Sequence, residues 1–60
     1  MKTVLGVDPG TRKVGYALVG GDGTTLARGI EDITAFGDRV DRLAAAHCIV
    51  AIALGGGTNV

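Results

Sequence analysis

Residues 3–8, Thr-Val-Leu-Gly-Val-Asp, are a β-branched and apolar run closed by Pro9-Gly10, which reads as a strand ended by a turn. Both faces of that run are largely apolar, the pattern of a central strand covered on both sides. Residues 14–19, Val-Gly-Tyr-Ala-Leu-Val, form a second strand, and Gly20-Gly21-Asp22-Gly23 offers the positive-φ residues of a hairpin. Residues 24–30, Thr-Thr-Leu-Ala-Arg-Gly-Ile, make a third, more polar strand suited to a sheet edge. The period then changes. Phe36, Val40, Leu43, Ala44 and His47 recur at helical spacing on one stripe. Asp38 and Arg42 sit four apart on the other side, in the favourable order for a helix pair. Asp32 or Thr34 is placed to cap the first turn, while Gly37 weakens the helix. Residues 49–54 are a continuous apolar run, a buried strand that should return parallel to the first after its crossover helix. The pattern predicts an α/β fold of order β-β-β-α-β, a mixed sheet of three antiparallel strands and a parallel fourth.

Composition adds a tension to that outline. With 60 residues the chain holds one domain, 1–60, and domains this small bury only roughly 60% of their unfolded surface. The single cysteine, Cys48, excludes an internal disulfide, and no His/Cys cluster suggests structural zinc. Yet 47% of the residues are hydrophobic and mean hydropathy is +0.38. A buried parallel strand normally has helices on both faces, and one helix is predicted here. The last strand would also be an open edge. These features lead us to expect a partial, truncated domain whose C-terminal strand and helices are missing, or a chain that hides its bare surface in a homodimer or larger assembly.

Charge and targeting signals narrow the class less. Six Lys and Arg balance six Asp and Glu, so the excess basic charge that advertises a nucleic-acid binder is absent. No apolar run reaches the length of a membrane helix, and no signal-peptide cleavage pattern follows Met1-Lys2-Thr3-Val4. A lone thiol suits a reducing compartment, so a cytoplasmic protein is expected.

Asp8 is the first candidate for chemistry. Alternation puts Val4, Gly6 and Asp8 on one strand face. A carboxylate ending a buried central strand is costly unless it pairs or binds a cation. Gly6 leaves room beside it, and hard divalent cations favour such oxygens. The plainer reading is that Asp8 caps the Pro9-Gly10 turn. Thr11, Arg12 and Lys13 follow in the next loop and could meet phosphates, Arg12 ahead of Lys13; the alternative is an ordinary solvated loop. Gly55-Gly56-Gly57-Thr58 is either a backbone nest for an anion or a plain turn, and it lacks the Lys of a Walker A loop. His47 and Cys48 earn no role, Cys48 reading as a small buried hydrophobe. Tyr16 and Phe36, the only aromatics, are too few for a base-stacking platform.

The stretch Leu5-Gly6-Val7-Asp8-Pro9-Gly10-Thr11-Arg12-Lys13-Val14-Gly15-Tyr16-Ala17-Leu18 resembles the opening of bacterial Holliday-junction resolvases and of the YqgF-type resolvase and pre-ribosomal-RNA nuclease family. The close, Val-Ala-Ile-Ala-Leu-Gly-Gly-Gly-Thr, is similar to the fourth strand and loop of YqgF-like domains. The resemblance implies a ribonuclease H-like fold, with Asp8 as a catalytic, metal-binding carboxylate. It also implies Mg²⁺ or Mn²⁺ as cofactor and branched DNA or structured RNA as partner. The chain departs from the pattern where junction resolvases carry a Glu near the end of the fourth strand, for it has Ala51, Ala53 and Leu54 there. Two-metal hydrolysis needs several carboxylates around cations about 3.5–4 Å apart, so an incomplete, inactive nuclease domain is expected. Asp8-Pro9-Gly10-Thr11 and Gly55-Gly56-Gly57-Thr58 are also similar to phosphate loops of the actin, Hsp70 and sugar-kinase superfamily, which implies an ATPase fragment instead. A third possibility is a non-catalytic, self-associating domain.

Overall fold

A computed structural model describes residues 2–55 as four strands and one helix: β1 (Lys2–Pro9), β2 (Lys13–Gly20), β3 (Thr25–Asp32), α1 (Phe36–Ala46) and β4 (Cys48–Leu54). The sheet order is β3-β2-β1-β4. β1 and β2 are antiparallel, as are β2 and β3, whereas β4 lies parallel to β1 with Leu5 opposite Ile52 and Gly6 opposite Ala53. The predicted α/β order and mixed sheet are therefore present, with β3 and β4 as the edges. β3 is the protected edge, carrying Arg28, Glu31 and Asp32. β4, Cys-Ile-Val-Ala-Ile-Ala-Leu, has no charge at all.

Alternation sorts the side chains into two unequal faces. Leu5, Val7, Val14 and Leu18 are buried on one of them, beneath Leu43 of α1. Phe36, Val40, Ile49, Ala27 and Tyr16 pack around that cluster, the Tyr16 and Phe36 rings tilted at 47° with centroids 6.1 Å apart. Thr3 belongs to the same face; its buried hydroxyl donates to the Cys48 carbonyl at 2.9 Å and ties the start of β4 to β1. Val4, Gly6 and Asp8 point the other way, in register with Val19, Ala17 and Gly15 of β2. No element covers that second face among the described residues. The shortest dimension, 15 Å, is that of one sheet with one layer on it.

Several expectations are corrected here. β1 is central but, among the described residues, covered on one side, not two. The helix stripe is Phe36, Val40 and Leu43 with a half-buried His47, while Ala44 is exposed. Neither Asp32 nor Thr34 caps α1. The N-cap is Ala35, with no side-chain hydrogen bond, and α1 begins one residue later than a Thr34 cap requires. Asp32 instead closes the turn before the helix, accepting from the Thr34 amide at 3.0 Å and the Thr34 hydroxyl at 2.7 Å. In the β2–β3 connection only Gly23 adopts positive φ, +87°, and Asp22 supports the turn by accepting from the Thr24 amide. Cys48 is exposed, because it opens an edge strand with none of the described residues outside it. The ion pair of the helix is Arg39 with Glu31 of β3 at 2.9 Å, not Asp38 with Arg42.

Candidate functional site

Asp8 lies one residue before the carboxyl end of β1, flanked by antiparallel β2 and parallel β4. Its side chain is exposed on the uncovered face, so the argument from a costly buried carboxylate does not hold. What distinguishes the position is its surroundings. Gly15 is its partner across the ladder, and a methyl group built there would lie 3.9 Å from the Asp8 Cβ, in ordinary contact. Gly6, Ala17 and Ala53 form the next row across β1, β2 and β4. Together with Gly55 these small residues floor an open trough of about 370 Å³ beside Asp8. The Gly55 amide donates to the Val7 carbonyl at 2.6 Å, which fixes the exit of β4 against the end of β1. Residues 56–58 of the glycine run lie outside the described residues.

The turn from β1 to β2 is tight. A Cβ on Gly10 would come within 2.6 Å of the Lys13 carbonyl, a backbone clash that only glycine avoids. The Arg12 carbonyl accepts from the Ile33 amide at 2.8 Å, so this loop is tied to the end of β3. Thr11, Arg12 and Lys13 are all exposed. Lys13 is the first residue of β2 and pairs across the ladder with Asp32 of β3. Strand alternation puts both on the uncovered face with Asp8. The Asp32 carboxyl is held below its ordinary value, first by the Thr34 amide and hydroxyl and, last, by the nearby Lys13 charge. Asp22, at the far hairpin, is likewise lowered by the Thr24 amide.

The other carboxylates do not gather around Asp8. Glu31 is on the helix side with Arg39, and Asp38 and Asp41 ride on α1, across the sheet. Asp32 shares the face of Asp8 but stands two strands away and two residues along, roughly 12 Å by strand spacing and rise. Among the described residues no group of three or more His, Cys, Asp or Glu is placed to hold a metal ion. Asp8 thus fits one ligand position and does not fit a two-cation centre by itself. Sequence reasoning missed the Asp8–Lys13–Asp32 alignment and the Arg39–Glu31 pair. The first was open to a register argument, whereas the second needs the path of the chain from β3 into α1. Comparison with known proteins adds no family here: no family model, curated protein or solved structure matches the chain.

Proposed function

We propose that the chain is a ribonuclease H-like domain of the YqgF or junction-resolvase kind, presenting Asp8 to a nucleic-acid phosphodiester. The observation that supports this reading is the position of Asp8: exposed at the carboxyl end of the central strand, on a floor of glycine and alanine. Ligands of α/β sheets gather outside the carboxyl ends of parallel strands, and β1 and β4 end there together. The small floor lets a substrate backbone approach closely. Mg²⁺ or Mn²⁺ would find one carboxylate ligand in Asp8, and such ions complete their shells with water and phosphate oxygens. The described residues make a presenting surface and not a complete hydrolase.

The test is Mn²⁺ titration followed by amide NMR, with binding to a four-way DNA junction and to a structured RNA measured in parallel. Selective broadening of Asp8, Gly10 and Gly15 that vanishes in Asp8→Asn supports the reading. Identical broadening in Asp8→Asn overturns the cation role. Stabilisation by ATP with no nucleic-acid binding would favour the ATPase reading instead.

We also propose self-association through β4, because Val50, Ile52 and Leu54 are exposed on a charge-free edge, Leu54 at 75%. The sedimentation mass across a concentration series tests it. A constant monomer mass overturns it, and Ala51→Lys on that strand is expected to abolish association.

A further inference from the structure

Of the three basic and hydroxyl residues that follow Asp8, the ladder register brings Lys13 to its face. Asp8 is paired with Gly15, and Lys13 stands two residues from Gly15 on the same strand. Asp8 and Lys13 are therefore diagonal neighbours on one face, a relation that separates the two residues by about 7–8 Å, their Cβ atoms by somewhat less, and lies within reach of a long side chain. Gly15 has no side chain to come between them. On its other side Lys13 has Asp32 as direct cross-strand partner, and Asp32 is itself fixed by two hydrogen bonds from Thr34. Arg12 precedes the strand, and its backbone is committed to Ile33.

We propose that Lys13 is the phosphate-positioning residue of the Asp8 site, with Asp32 as its cross-strand neighbour, and that Arg12 lies outside that site. The inference rests on the reading of Asp8 as a phosphodiester site. An ammonium is a compact point charge with rotatable donors, so it needs no bidentate geometry to engage one phosphate oxygen, and a cation held at Asp8 would face another. Asp32 stands beside Lys13 as a cross-strand neighbour of opposite charge, and the tight Gly10 turn keeps the β1–β2 register from slipping. Contacts of this kind position a nucleic acid and do not read its sequence.

Two readouts test the proposal on the full chain. The first is the affinity for a four-way DNA junction as a function of salt, for wild type, Lys13→Gln, Lys13→Arg and Arg12→Gln. Lys13→Gln is expected to weaken binding several-fold and reduce the slope of log K against log salt by about 0.9, with Lys13→Arg restoring most of both. The second is Mn²⁺ broadening at Asp8 without nucleic acid. It should strengthen in Lys13→Gln, which removes a neighbouring positive charge, and stay put in Arg12→Gln. Unaltered far-UV circular dichroism verifies that each variant folds. Equal effects of Lys13→Gln and Arg12→Gln on both readouts, or none from Lys13→Gln, overturn the proposal while leaving the Asp8 reading intact. A wild-type chain that binds neither the junction nor a structured RNA overturns the Asp8 reading itself.

Discussion

Leu18→Ala should remove a large share of the folding stability, and the size of the loss can be worked from its neighbours. Leu18 is 0% exposed, with Leu5 opposite it on β1 and Ala27 opposite it on β3. Truncation deletes three buried carbons, about 2.4 kcal/mol at ~0.8 kcal/mol each. Both flanking strands are held by ladders, so the space cannot close fully and a cavity cost is added. A total of about 3–4 kcal/mol follows, inside the usual range for such truncations. A chain of this size has roughly 3–9 kcal/mol to lose. The midpoint of thermal unfolding should drop by about 4–8 °C per kcal/mol. Urea unfolding followed by far-UV circular dichroism measures the loss, with Ile30→Ala as control because Ile30 is 71% exposed on the uncovered face. If Leu18→Ala leaves too little folded protein, Leu18→Val gives a graded loss of about 1 kcal/mol. A Leu18→Ala loss no greater than that of Ile30→Ala would refute the assignment of the core to the helix side. So would a change confined to the urea slope with no shift of midpoint.

Other substitutions report on single interactions. Gly37→Ala should stabilise by about 0.5–1 kcal/mol in the same urea assay, since the position is helical and a methyl group there meets nothing within 4 Å. Gly29→Ala should destabilise by about 1–3 kcal/mol, because its Cβ would lie 2.9 Å from the Tyr16 hydroxyl and push that ring against Phe36; near-UV circular dichroism of Tyr16 should change with it. Asp32 should titrate below its ordinary value of 3.8 by carboxyl NMR, because the Thr34 amide and hydroxyl bind its ionised form. A carboxyl lowered on folding stabilises above its unfolded pKa and loses that contribution as pH falls through its folded pKa. Asp32→Ala should accordingly flatten the acid limb of stability against pH, and an unchanged limb would refute the turn's role.

How much of this was legible in the sequence follows from how local each feature is. Strand periods, the Pro9-Gly10 stop and the polar character of β3 depend on neighbouring residues, and the elements appear where the pattern puts them, within two residues. The parallel return of β4 was legible too, because a crossover helix leaves few other routes. Burial was not. The continuous apolar run of β4 reads as a core strand, yet Val50, Ile52 and Leu54 are exposed, since α1 covers the middle of one face and nothing described covers the rest. The burial that local pattern suggests for Cys48 and for the strand around Asp8 fails for the same reason: exposure is set by which layers exist, a property of the whole assembly of elements. Asp32 and Thr34 both read as caps because Asp-x-Thr serves a cap and a turn equally well; the outcome turns on α1 starting at Phe36.

The same geometry decides what the candidate site lacks. α1 carries Asp38 and Asp41, and the strand before it carries Glu31, so the helix side is rich in carboxylates. Asp8 faces the other way, and the sheet separates it from all three. A second carboxylate for Asp8 must therefore come from its own face or from beyond the carboxyl ends of β1 and β4. On its own face the described residues offer Asp32, at a separation too large to share a cation and with Lys13 standing between. The exit of β4 is the nearer approach, because the Gly55 amide is bonded to the carbonyl of the residue just before Asp8. Carboxylates grafted near residue 55 should thus sharpen Mn²⁺ binding at Asp8, whereas the same graft on α1 should leave it unchanged. A helix-borne carboxylate that raised Mn²⁺ affinity at Asp8 would contradict the two-faced arrangement on which the site rests.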